Sequence, residues 1–219
     1  MEHIVVDVVS DVVCPWCFLG KARLERAIDQ VSGEMLVTVN WRPYQLNPDL
    51  PPEGVDHKAH LAAKLGGAAA VAQAHGRLAE LGLQDGIAFD FDAVKISPNT
   101  LDAHRLLRWA GNEGRQNEVA NALFSAYFEE GRNVGDPNVL RDIAAKNGLD
   151  AAVIDVLLAS DADKQAIGEE ISMAQDMGVS GVPCFIIDSK YAVMGAQSVE
   201  VLANAFREIA AMKDPKQVN

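Results

Sequence analysis

The sequence predicts an α/β fold in three parts: a β-α-β unit over 1–45, a large all-helical insertion over 46–177 and a β-β-α unit over 178–219. Three patterns carry the prediction. A short β-branched run at 3–9 gives way to apolar residues at helical spacing and then to an alternating run at 35–41. The middle of the chain is punctuated by helix start and stop signals, with apolar stripes of period 3.6 between them. The end carries two short apolar runs about a polar turn, followed by one amphipathic helix.

Each element follows from its residues. HIVVDVV at 3–9 is β-branched and too short for a helix, so it reads as a buried strand. Beyond Cys17, the residues Leu24, Ala27, Ile28 and Val31 fall at i, i+3, i+4 and i+7 and make one helical face, with Lys21, Glu25 and Asp29 off it. Ser32-Gly33 ends that helix, and MLVTVNW at 35–41 reads as the second strand. RPYQLNPDLPPEG holds four prolines and must be a loop. The alanine-rich stretch 58–81 predicts one or two helices, and IAFDFD at 87–92 alternates like a strand or an extended loop. Ser97-Pro98 gives a helix start with Ser at the N-cap and Pro at N1, leading to the stripe Ala103, Leu106, Leu107 and Ala110. Asp136-Pro137 repeats the signal ahead of Leu140, Ile143 and Ala144, and Gly148 ends that helix. Asp150 and Asp161 are the expected caps of two more helices, the last stopped by Gly178. In PCFIIDSKYAVMG two short strands flank Asp188-Ser189-Lys190; Ser198 then caps a final helix bearing Leu202, Ala205, Phe206 and Ile209.

Composition narrows the function. The chain has 219 residues, enough for a substantial core, and 49% of them are apolar, as in a globular protein. A formal net charge of −12 opposes binding to nucleic acid. No window is long and apolar enough to span a bilayer. The first residues, MEHIVVDVVSD, lack the basic start of a secretory signal, so a cytoplasmic protein is expected, in a compartment that keeps thiols reduced.

The chemistry concentrates in VVCPWCFLG, where Cys14 and Cys17 stand between the first strand and the first helix. A thiolate at a helix N-terminus is stabilised by unpaired N–H groups and the positive end of the dipole, so a lowered pKa is expected at Cys14. Cys17 follows one turn later on the same side. Pro15 suits the first helical turn, where its missing N–H costs nothing. Trp16 is a large aromatic where no core calls for one. Such a pair can also bind zinc, form a structural bridge or be two buried hydrophobes. Zinc needs about four ligands, and only Cys184 and a histidine are left to supply them. A bridge across so short a loop adds little stability. Thiol–disulfide exchange fits the strand-to-helix placement better than any of these.

Five segments, SDVVCPWCFLGKARLE, WRPYQLNPDLP, SPNTLDAHRLLRWA, FSAYFEEGRNVGDPNVL and GVSGVPCFIIDSKYAVMGAQ, together resemble the FrnE-like branch of the DsbA family, in order and over nearly the whole chain. The resemblance implies a thioredoxin-like fold with a helical insertion. Related branches, the 2-hydroxychromene-2-carboxylate isomerases and kappa-class glutathione transferases, typically carry serine where Cys14 stands and use glutathione. This chain keeps both cysteines, so the resemblance implies a dithiol oxidoreductase. It also implies that Val182-Pro183 is the family's cis-proline loop facing the cysteine pair, with Val182 offering backbone groups to a partner; read alone, Val-Pro is a strand start. Cys184 departs from the family, which more often has an aromatic residue or threonine there.

Other residues have two readings each. Cys184 is either a small buried hydrophobe or a third thiol able to trap Cys14 or Cys17. His104 is a packing residue or an acid–base group. Asn99 contacts substrate or serves the helix start. Arg42 satisfies a carbonyl or a carboxylate. The sequence thus points to Cys14 as nucleophile and Cys17 as resolving thiol, with Pro15, Trp16, Val182, Pro183, Asn99 and His104 as the substrate-binding candidates. No metal or nucleotide is needed. Glutathione is a candidate co-substrate, alongside protein and small-molecule disulfides or thiols, and homodimer formation is left open. The competing reading is a glutathione-dependent isomerase or transferase using the Cys14 thiolate.

Overall fold

A computed structural model describes residues 1–213. Its centre is a four-stranded sheet in the order β2-β1-β5-β6. Strand β1 (Glu2–Ser10) pairs in parallel with β2 (Met35–Pro43) from Glu2↔Met35 to Ser10↔Pro43. On its other side it pairs antiparallel with β5 (Cys184–Ile187), and β6 (Tyr191–Met194) closes that edge. Helix α1 (Pro15–Val31) makes the crossover between the parallel strands. It packs beside α9 (Val199–Lys213), whose Phe206 and Leu202 are fully buried. Ser198 Oγ accepts the Val201 N–H at the start of α9, as a capping serine does.

Seven helices lie between β2 and β5: α2 (His57–Leu65), α3 (Ala68–Gln84), α4 (Leu101–Asn112), α5 (Gln116–Phe128), α6 (Pro137–Lys146), α7 (Ala151–Leu158) and α8 (Lys164–Asp176). The strands within the segment are confined to a small ribbon, β3 (Val55–Asp56) paired antiparallel with β4 (Ile96–Ser97), and loops join the helices. The alanine-rich stretch therefore forms two helices, parted at Gly66 and Gly67, where φ is 87° and 117°.

Two helix starts differ from those expected. Ser97 lies in β4, and α4 begins at Leu101, whose N–H is taken by Asn99 Oδ1 at 3.0 Å. Asp161 pairs with Lys164 at 2.7 Å instead of capping α8. The residue before that helix is Asp163, at φ 60°, and its carboxylate is held by Arg108 and by Trp109 Nε1. Asp136 and Asp150 do cap α6 and α7 through their side chains.

One continuous core joins the sheet to the insertion. Phe18, the residue after Cys17, stacks on Phe124 of α5 with ring centroids 5.2 Å apart and meets the edge of Phe89 at 5.8 Å. The helix that carries the cysteines is thus fixed to the insertion by its first turn.

Candidate active site

The chain leaves β1, turns through Asp11, and enters α1 at Cys14. The Cys14 N–H donates to the Asp11 carbonyl at 3.0 Å, which closes the turn. Cys14 is the N-cap residue, with φ −94° and ψ 113°, and its own carbonyl accepts the Cys17 and Phe18 N–H groups. Pro15 occupies the first helical position. The positive end of the α1 dipole therefore stands at the Cys14 sulfur. Across from it the Val182–Pro183 peptide is cis, and the Cys14 thiol donates to the Val182 carbonyl at 3.7 Å. Close approach of α1 to this loop depends on Gly20: a Cβ there would sit 3.0 Å from Pro183 Cγ and 3.2 Å from Phe185 Cζ.

All three cysteines are free thiols, in three different settings. Burial, and then the hydrogen bond and charge of Cys14, hold the Cys17 thiol well above its ordinary range. The Ser10 hydroxyl and the Asp11 backbone pull the other way and are outweighed. Cys184 points to the opposite face of the sheet. There it packs with Val9, Ala174, Val179 and Ile186, while Phe185 and Ile187 face the main core. Burial pushes its thiol up as well. Cys184 is thus a small buried hydrophobe and not a third thiol beside the pair. For the same reason it cannot join Cys14 and Cys17 in a zinc site, and no cluster of three or more His, Cys, Asp or Glu residues suits a metal among the described residues.

A cavity of about 380 Å³ opens beside Cys14. Cys14, Pro15, Trp16 and Val182 form one side, and α2, α3 and α5 supply the rest through residues such as Leu61, Leu78 and Phe128. Trp16 is 37% exposed, with the Arg77 guanidinium 6.0 Å above its ring. His57, His60 and His75 also line the cavity. The His57 Nδ1 lies 2.9 Å from Ser97 Oγ, whereas its Nε2 is buried without a partner. Burial, with the nearby His75 and His60, pushes His57 down to about 4, so its ring is neutral near pH 7. Burial also lowers His75, which stacks on Phe91 at 4.0 Å.

Asn99 and His104 stand apart from this cavity. Asn99 Nδ2 donates to the Pro48 and Leu50 carbonyls, and its Oδ1 accepts from Gln45 and Leu101, so it clamps the proline-rich loop and begins α4. His104 lies behind the cysteine turn, its Nε2 at 2.8 Å from the Tyr44 carbonyl and 3.5 Å from Asp11 Oδ1. It lines a separate polar groove with Arg42 and Arg108. Arg42 itself pairs with Asp7 at 2.9 Å. Sequence reasoning passed over His57, His60 and His75. A usable signal existed, since three of the five histidines fall within 57–75.

Comparison with known proteins agrees with this geometry. Residues 5–207 match the model of the DSBA-like thioredoxin domain. A probable DsbA oxidoreductase from Streptomyces coelicolor superposes with a TM-score of 0.88 at 30% identity, covering 99% of this chain and 94% of that one. The uncharacterised protein YwbO of Bacillus subtilis (strain 168) is 28% identical over 211 residues, 93% of this chain and 96% of its own. The fold is shared with a 2-hydroxychromene-2-carboxylate isomerase, at TM-score 0.72, 17% identity and 95% and 97% coverage. It is also shared with the cytosolic disulfide reductase DsbM of Pseudomonas aeruginosa with GSH, at 0.61, 18%, and 95% and 99%. With the cysteine pair at a strand-to-helix turn, a proline loop facing it and a helical insertion over both, the chain belongs to the DSBA-like thioredoxin domain family.

Proposed function

We propose that this chain is a thiol–disulfide oxidoreductase in which Cys14 is the nucleophile and Cys17 the resolving thiol. The observation that carries this reading is the asymmetry of the pair: Cys14 caps α1 and lines a cavity, while Cys17 is buried one turn behind it and held protonated. The Cys14 thiolate attacks one sulfur of a substrate disulfide, the S–S bond breaks, and one thiolate leaves. Cys17 then attacks the Cys14 sulfur and releases the second thiolate, which takes up the proton that Cys17 sheds. Two electrons pass from the protein dithiol to the substrate, and the reverse sequence oxidises a substrate dithiol. Pro15, Trp16, Val182 and Pro183 form the surface that meets the partner.

The substrates in this reading are protein or small-molecule disulfides and thiols, glutathione among them. The fold shared with DsbM, whose structure includes GSH, supports that range, and its cytosolic setting supports a cytoplasmic site of action here. A second reading, a glutathione-dependent isomerase or transferase, is favoured by the cavity at Cys14 and by the fold shared with the isomerase. Cys17→Ser separates the two. An oxidoreductase loses dithiol turnover and accumulates a mixed disulfide at Cys14; an isomerase keeps its activity. Full dithiol turnover by Cys17→Ser would refute the assignment of Cys17.

A further inference from the structure

The oxidoreductase reading leaves the size and charge of the substrate open, and the cavity bears on both. Cys14 is 4% exposed and stands in the cavity wall. A disulfide attacked there has to bring its sulfur into the cavity, with attacking, central and leaving sulfurs in line. A slender molecule meets that condition, and a disulfide lying flat on a folded protein does not.

The charge pattern is selective. The chain has 31 acidic residues against 19 lysines and arginines, yet no Asp or Glu lines this cavity. Among the described residues, the lysines and arginines without a carboxylate in ion-pairing reach are Lys64, Arg77, Lys95 and Lys190. One of these four lines the cavity, and a second lies beside a residue that does. Lys64 is in its wall, held only by Asn47 Oδ1 at 2.8 Å and the Leu46 carbonyl, and Arg77 lies over Trp16. The remaining wall is largely apolar, from Leu61, Leu78, Phe91 and Phe128.

We propose that this cavity takes a low-molecular-weight disulfide with an apolar body and an anionic end. The anion lies at Lys64, with the Arg77 guanidinium over Trp16 adding positive charge beside the mouth, and the body lies on the apolar wall. Disulfides on folded proteins are poor substrates. The inference rests on the oxidoreductase reading and narrows it. One disulfide and the protein dithiol give two small thiols and the Cys14–Cys17 disulfide, and an external dithiol reduces the protein again.

The test is single turnover of the reduced protein with three disulfides: dithiobis(nitrobenzoate), an aromatic dianion; cystamine, a slender dication; and insulin. Each rate is divided by that of the same disulfide with a free thiol, which removes intrinsic reactivity. The expected order is dianion, then cystamine, then insulin. The double variant Lys64→Met/Arg77→Met, altering two exposed side chains, should lower the normalised dianion rate about tenfold at sub-saturating concentration, with a higher half-saturating concentration and an unchanged limiting rate, and raise that of cystamine. Leu61→Trp, which fills the cavity and removes no polar group, should slow both small disulfides. Insulin reacting as fast as the dianion after normalisation would overturn the inference, as would an unchanged dianion-to-cystamine ratio in the double variant. Absence of exchange with every disulfide would overturn the oxidoreductase reading itself.

Discussion

Acidification should destabilise this protein through His57, and the size of the effect follows from its surroundings. An unfolded histidine titrates near 6.5, whereas burial, with His75 and His60 nearby, pushes folded His57 down to about 4. Between these values the unfolded chain binds a proton that the folded chain does not. Stability from this residue is therefore complete above about pH 6.5 and is lost as the pH falls toward about 4. At about 1.4 kcal/mol per pH unit the gap sets a ceiling near 3 kcal/mol, and contact of the cavity with water reduces the expected loss to about 2 kcal/mol. Urea unfolding of the wild type and His57→Phe at neutral pH and near pH 4.5 measures it. His75 shifts the same way and remains in both proteins, so the difference between their pH dependences isolates His57. The wild type should lose about 2 kcal/mol more than the variant. Equal losses would refute the argument, because an accessible His57 would give that result, and a smaller loss in the wild type would mean an ion-paired one.

Arg105 is fully buried and donates to the carbonyls of Leu157, Leu158, Ser160 and Ala162 and to Asp102. Arg105→Leu should cost about 3–5 kcal/mol by orphaning those groups; a fall in Tm of only a degree or two would show that they find other partners. Cys14 should be the first cysteine alkylated at mildly acidic pH, because burial holds Cys17 and Cys184 protonated, and peptide mass spectrometry after a brief pulse reads the order. Initial labelling at Cys184 would contradict the assignment. Gly20→Ala gains about 1 kcal/mol of helix propensity but loses about 1–3 kcal/mol against Pro183 and Phe185. The variant should be less stable and slower in disulfide exchange, and a stabilised variant with normal exchange would mean that the proline loop yields freely.

The elements around the cysteine pair were legible because local and tertiary preferences agree there. The β-branched run of β1, the stripe on α1 and the paired runs of β5 and β6 each specify one burial pattern, and the sheet satisfies all of them. Where the two preferences part, local reading fails. Ser97-Pro98 carries the local signal of a helix start, but the Ser97 hydroxyl is engaged by His57 and its backbone pairs with Val55. The alternation in IAFDFD reflects Phe89 and Phe91 stacked 4.9 Å apart, with Phe128 edge-on to both, and no neighbouring strand. Lys21, off the apolar stripe of α1, is buried because Glu25 and Asn121 satisfy its ammonium at 2.7 and 2.8 Å. The cavity histidines have no motif, since α2 and α3 are joined to Cys14 only through tertiary packing. The face occupied by Cys184 was hidden for a simpler reason. Alternation along β5 assigns it opposite Phe185, but which face meets α1 is decided by Gly20 and the proline loop.

The central claim, that Cys14 and Cys17 form a working dithiol, is tested most directly by redox titration. The reduced protein is equilibrated across a series of thiol–disulfide buffers, quenched by alkylation, and mapped by peptide mass spectrometry. A single reversible two-electron transition is predicted, in which Cys14 and Cys17 are oxidised together and Cys184 remains alkylatable on unfolding at every potential. A protein in which Cys14 and Cys17 do not join across that range, or in which Cys184 takes the place of Cys17, would contradict the account.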